Sequence, residues 1–114
     1  MKGNAYQRQA LETKLYHEQE ISPLFSKLLY LACGLNGESG ELDEKLKKII
    51  RDQNCQMTLQ NLELIKKELA DILWYLTAIV DELNLTLEEV MECSLVKIQD
   101  RINRGVLQGS GDER

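Results

Sequence analysis

The sequence predicts an all-α fold, a bundle of four helices. Three observations carry that prediction. Apolar residues recur at steps of three and four through two long segments, the spacing of one helix face. Aromatic residues make up only 5% of the chain, and no run of β-branched and aromatic residues alternates with polar ones as a strand would. Serine or threonine stands where each later helix would start, and the single proline, Pro23, falls at a first helical position. At 114 residues the chain is expected to form one domain, 1–114, with a tail from about residue 105. A chain this small leaves room for a partner chain to complete the burial of its apolar faces.

Taken in order, residues 5–16 are expected as a first helix with Ala5, Ala10, Leu11 and Leu15 as its apolar members. His17, the only histidine, has no histidine or cysteine beside it and reads as a solvated or hydrogen-bonded loop residue. Ser22-Pro23 opens the second helix, which runs to about Arg51 on the stripe Leu24, Leu28, Leu31, Leu35, Leu42, Leu46 and Ile49. Gly34, Gly37 and Gly40 lie inside it at steps of three, where each weakens a helix. Because the stripe is unbroken, the helix is expected to continue through them, with the glycines admitting another backbone or a ligand close to that face.

Residues 52–57 read as the connection, Thr58 as the N-cap of a third helix ending near Leu83, and Asn84 as its punctuation. From Ile72 to Val80 that helix is apolar nearly all round, which predicts the innermost position and surplus apolar surface for a subunit interface. Trp74 belongs to that core or interface. Thr86-Leu87-Glu88-Glu89 is a capping box that starts a fourth helix at Leu87, with Leu87, Val90, Met91, Leu95, Ile98 and Ile102 facing inward and Gly105 ending it. The second and third helices form an antiparallel hairpin.

Two pairs of acids stand out on the hairpin. Glu38 and Glu41 are three residues apart on the second helix, and Glu68 and Asp71 are three apart on the third, so each pair projects from one helix face. Glu38 interrupts the apolar stripe, between Leu35 and Leu42. Glu68 and Asp71 share a row with Leu64, Tyr75 and Ala78 that borders the apolar row of the third helix. A carboxylate beside buried surface without a counter-charge either takes up a proton or needs a cation. Glu38, Glu41, Glu68 and Asp71 are therefore candidate metal ligands and candidate catalytic carboxylates. Their oxygen donors suit Mg2+, with Mn2+ as an alternative, and magnesium commonly shares such ligands with substrate phosphates.

The fourth helix carries Lys97, Arg101 and Arg104 at steps of four and three. Three cations on one face at a helix C-terminus complement the dipole, or clamp a polyphosphate, for which arginine is well shaped. The tail contains Gly109-Ser110-Gly111-Asp112, whose backbone amides are able to fold over a phosphate.

Composition excludes several classes. The formal charge is -5, from 19 acids and 14 lysines and arginines, so no basic excess points to a nucleic-acid polymer. No stretch has membrane-spanning length, and Met1-Lys2-Gly3-Asn4-Ala5 does not begin a secretory signal. Cys33, Cys55 and Cys93 form no CxxC and read as small buried residues in a reducing, cytoplasmic setting.

With these motifs in place, residues 22–114 resemble the MazG-like nucleoside triphosphate pyrophosphohydrolases of the all-α NTP pyrophosphatase superfamily. The resemblance rests on Gly37-Glu38-Ser39-Gly40-Glu41, on the run from Lys67 through Glu68 and Asp71 to Trp74-Tyr75, and on Lys97 to Arg104 with the Gly-Ser-Gly-Asp tail. It implies a four-helix-bundle-like MazG fold completed by oligomerisation, as a homodimer or homotetramer with the site near a helical interface. It implies magnesium on Glu38, Glu41, Glu68 and Asp71, and nucleotide contacts from Tyr75, Lys97 and Arg101. Many members carry a further Glu directly before the first motif acid, where this chain has Gly37.

The expected activity is Mg2+-dependent hydrolysis of a nucleoside or deoxynucleoside triphosphate to the monophosphate and pyrophosphate, in cleansing or control of nucleotide pools. The rivals are a dUTPase-like or phosphoribosyl-ATP pyrophosphohydrolase activity, and a non-catalytic helical interaction module. A pure scaffold has no reason to keep four acids beside its core.

Overall fold

A computed structural model describes residues 2–16 and 20–114, and among them every regular element is a helix. The order is α1 (Gly3–Leu11), α2 (Pro23–Asp52), α3 (Leu59–Glu82) and α4 (Leu87–Asn103). His17 lies outside the described residues.

Local chemistry sets the ends of the long helices. Ser22 Oγ accepts a hydrogen bond from the Phe25 N–H at 3.3 Å, with Pro23 occupying the first helical position. α2 then runs unbroken through Gly34, Gly37 and Gly40 for 30 residues. At its far end the N–H groups of Gln53 and Cys55 both reach Ile49 O, at 3.1 and 3.2 Å, while Asn54 and Cys55 take positive φ. Thr58 Oγ1 accepts from the Asn61 N–H at 3.0 Å to start α3. Asn84 (φ 56°) ends α3. The Thr86–Glu89 capping box is complete: the Thr86 N–H donates to Glu89 Oε2 at 2.6 Å and the Glu89 N–H to Thr86 Oγ1 at 3.2 Å. Hydrogen bonds donated to the carboxylate by the Thr86 N–H and, at 3.0 Å, by the Thr86 hydroxyl hold the Glu89 carboxyl below its ordinary range. Gly105 (φ 69°) closes α4.

α2 and α3 pack antiparallel along their length, and this hairpin is the frame of the molecule. Lys27 near the start of α2 pairs with Glu82 at the end of α3, at 3.6 Å. At the other end buried Asn61 donates to Gln53 Oε1 (2.6 Å) and Gln56 O (2.9 Å), fastening the connection to α3. Most of the α2 stripe faces α3 as its spacing predicts: Leu31 and Ile49 are buried, Leu28, Leu35 and Leu42 are half-buried, while Leu24 and Leu46 are exposed.

Several expectations are corrected. α1 stops at Leu11 rather than Tyr16, its last turn unwinding as the Glu12, Thr13 and Lys14 N–H groups reach back only three residues. It packs on no other helix among the described residues, so nothing sustains a longer one. α4 touches α3 at only a few positions. Met91, Leu95, Ile98 and Ile102, expected to face inward, are exposed, as is Trp74 on α3. All three cysteines are free and exposed rather than buried. Leu31, Ile49 and Val80 are the only buried apolar side chains among the described residues.

The exposed apolar surface has a size. The chain presents 9832 Å² to solvent, where a compact protein of its mass presents about 6,400 Å². Its radius of gyration is 20.1 Å, against about 13 Å for a compact chain of this length.

Candidate metal centre

The hairpin register places the two acid pairs opposite one another. One carboxylate oxygen from each of Glu38, Glu68 and Asp71 lies within 4.8 Å of the others. Glu68 occupies the middle of the α3 face turned toward α2 and is buried; Glu38 is half-buried and Asp71 exposed. The trio thus runs from the inter-helix seam out to solvent. Glu41, the fourth acid expected here, is exposed and stands outside the trio, although its charge reaches both Glu38 and Lys45. Of the two α2 acids it is Glu38 that meets α3, half-buried where Glu41 is exposed.

Like charges this close do not ionise independently. Burial, and then the hydrogen bond to Glu68 and the charges of Asp71, Glu68 and Glu41, push the Glu38 carboxyl above its ordinary value of 4.5. Glu68 is held below that value, chiefly by its hydrogen bond to Lys45. The same bond raises the Lys45 ammonium. Lys45 Nζ stands 2.5 Å from Glu68 Oε1 and bridges α2 to α3. Sequence reasoning missed Lys45: with Lys47 and Lys48 beside it, it reads as one of a group of solvated cations.

These shifts make a pH prediction for the metal-free protein. Between 4.5 and the raised value of Glu38, the folded chain binds a proton that the unfolded chain has released, so stability rises as pH falls through that window. Below it, stability is lost as Glu68 protonates and releases Lys45. Thermal melts in a metal chelator should show a maximum on the mildly acidic side. Glu38→Gln should flatten the rise toward that maximum; an unchanged rise would show that another group causes it.

Tyr75 lies one turn beyond Asp71, and its ring sits directly on Gly34, one turn before Glu38. A β-carbon at position 34 would overlap that ring. Gly34 therefore serves the close approach expected of the glycines, and what approaches is Tyr75. Added β-carbons at Gly37 and Gly40 would meet open space. The Tyr75 ring also packs edge-on against Trp74, centroids 5.0 Å apart.

The basic row on α4 is separate from the acids. No hydrogen bond or ion pair joins Lys97, Arg101 or Arg104 to Glu38, Glu41, Glu68 or Asp71 among the described residues. Lys97 and Arg101 line a groove of about 410 Å³ along one face of α4, with Cys93 and Ser94. Arg101 donates to Asp112 O at 3.2 Å, and Arg104 pairs with Asp100 at 2.8 Å and donates to Arg114 O at 2.6 Å. Arg114 in turn donates to Gly111 O at 2.6 Å. The tail thus folds back on the α4 arginines, and in this arrangement it offers Arg101 the Asp112 carbonyl and Arg104 the Arg114 carbonyl.

Three hard oxygen donors of like charge, converging beside one lysine, are a donor set that fits a divalent cation. Comparison with known proteins agrees with that chemistry. The family model described as the MazG nucleotide pyrophosphohydrolase domain matches residues 26–106, which include all four acids, Tyr75, Lys97, Arg101 and Arg104. The chain is similar to the "Gene 37 protein" of Mycobacterium phage L5, 38% identical over 114 residues and covering the whole of both chains. No solved structure matches.

Proposed function

Because the chain belongs to the MazG nucleotide pyrophosphohydrolase family, we propose that it hydrolyses nucleoside or deoxynucleoside triphosphates to the monophosphate and pyrophosphate with Mg2+ or Mn2+, in cleansing or control of nucleotide pools. The observation that carries this reading is the convergence of Glu38, Glu68 and Asp71 across the hairpin. A divalent ion bound there supplies charge neutralisation for the phosphates and a more acidic water. The chain's residues do the rest. Glu38 and Asp71, with Glu68, hold the donors on two rigid helices. One site carboxylate accepts the proton of the attacking water, whose oxygen forms the new P–O bond as the bond to the bridging oxygen between the α- and β-phosphates breaks. Lys97 and Arg101 stabilise the charge that develops on the departing pyrophosphate, with Arg104 and Tyr75 as further substrate contacts. For Arg101 and Arg104 this requires the tail carbonyls to give way to phosphate oxygens.

The reading includes assembly. About 3,400 Å² of surface beyond that of a compact chain exceeds the roughly 800 Å² each partner contributes to a standard interface, and the exposed rows of α3 and α4 are apolar. In this reading a homodimer or homotetramer covers them. Among the described residues no helix is long and apolar enough to cross a membrane, and three free cysteines suit a reducing, cytoplasmic setting.

The test is pyrophosphate release from a panel of canonical and modified NTPs and dNTPs, with Mg2+ and with EDTA, on a preparation whose mass is measured by sedimentation. Release in equimolar amount with the monophosphate, abolished by EDTA, is expected from an oligomer. A sole preference for dUTP or phosphoribosyl-ATP would move the assignment within the superfamily, and a folded oligomer inert toward the whole panel would make it an interaction module.

A further inference from the structure

Of the ion pairs among the described residues, only two join α2 to α3. Lys27–Glu82 is the looser, at 3.6 Å, with the lysine side chain 63% exposed. Lys45–Glu68 is the tighter, at 2.5 Å, with side-chain exposures of 28% and 11%. The neighbouring cations on α2 are engaged locally and in solvent, Lys47 with Glu44 and Arg51 with Asp52. Of the two α2 cations paired across to α3, Lys45 is the one that reaches a carboxylate of the trio.

A carboxylate has two oxygens with separate tasks available to them. The Lys45 ammonium takes Oε1 of Glu68, which leaves the second oxygen for the other two acids and whatever they bind. Glutamate carries three side-chain torsions, and a carboxylate that is itself hydrogen-bonded holds a ligand orientation that a free one does not. Resting on the reading of the trio as a metal centre, we propose that Lys45 is a positioning residue that fixes Glu68 by Oε1 and so presents its other oxygen to a divalent cation shared with Glu38 and Asp71.

A simpler view makes the opposite prediction. If Lys45 were only a positive charge beside a cation site, its removal would lower the repulsion and tighten metal binding. The sign of the change therefore separates orientation from field. Orientation, unlike the field, makes the loss of one cation weaken the binding of another.

The experiment is calorimetric titration of the whole chain with Mn2+ in the absence of nucleotide, so that no catalytic step enters the readout. Wild type, Lys45→Met, Lys45→Gln, Lys45→Arg and the control Lys47→Met are compared, each checked for helix content by circular dichroism. Lys45→Met and Lys45→Gln should weaken Mn2+ binding by about 10- to 100-fold, the range for partners that orient a metal ligand. Lys45→Arg should stay within a few-fold of wild type and Lys47→Met should match it. Equal or tighter binding in the two uncharged variants overturns the proposal, as does a loss that arginine does not restore. Failure of the wild type itself to bind Mn2+ is a different result: it removes the metal centre, and the proposal with it.

Discussion

Asp71→Asn is expected to lower turnover at least a hundredfold while leaving the thermal midpoint nearly unchanged. The magnitude follows from the role. Losing a residue that only supports a metal ligand costs about 10- to 100-fold, so losing a ligand costs at least the upper end of that range. The separation from stability follows from exposure. Asp71 is the solvent-facing member of the trio, makes no ion pair among the described residues, and a surface exchange away from such contacts shifts stability by only about 0.5 kcal/mol. Glu68→Gln is the less informative change, because it also breaks the inter-helix pair with Lys45. Glu41→Gln ranks below Asp71→Asn, since Glu41 stands outside the trio. Pyrophosphate release under saturating Mg2+ measures all three. Full activity in Asp71→Asn would remove the trio from the chemistry, and a loss in Glu41→Gln equal to that in Asp71→Asn would bring Glu41 into the ligand set once substrate binds.

Much of this arrangement is legible in the sequence because it is local. Ser22-Pro23, Thr58 and the Thr86–Glu89 box are start signals whose partners lie within three residues, and each helix begins where they say. Glu38 is conspicuous because it breaks a stripe, and a stripe is a property of one helix. What depends on the register between helices is not legible. The Lys45–Glu68 pair joins residues 23 apart, and the seating of Tyr75 on Gly34 joins residues further apart still; no spacing within one helix announces either. The exclusion of Glu41 has the same origin, since an i, i+3 step says that two acids are neighbours but not which of them faces the other helix. The exposed row on α4 shows a further limit. Periodicity identifies Leu95, Ile98 and Ile102 as one apolar face, but among the described residues nothing covers it.

Gly34, Gly37 and Gly40 look equivalent in the sequence and are expected to respond with opposite signs. Glycine to alanine in a helix interior contributes about 1 kcal/mol of stability from propensity alone, and at Gly37 and Gly40 nothing within 4 Å opposes the new methyl group. At Gly34 the methyl group overlaps the Tyr75 ring. Either the ring leaves its position or the helices separate there, and overpacking of this kind costs about 1–3 kcal/mol, enough to cancel the propensity gain and reverse it. Gly34→Ala should therefore lower the denaturation midpoint while Gly37→Ala and Gly40→Ala raise it. Because Gly34 precedes Glu38 by one helical turn and Tyr75 follows Asp71 by one, separation of the helices at this point also pulls the trio apart. Weaker Mn2+ binding by Gly34→Ala would therefore mark separation of the helices, and unchanged binding displacement of the ring alone. The cause is checked by a double-mutant cycle: with Tyr75→Ala the ring is gone, and Gly34→Ala should then be harmless or stabilising, leaving a coupling of the size found between residues in contact, about 0.5–3 kcal/mol. A stabilised single Gly34→Ala would mean that the ring does not rest on Gly34. A destabilised Gly37→Ala or Gly40→Ala would mean that a second chain, rather than solvent, lies against that face of α2.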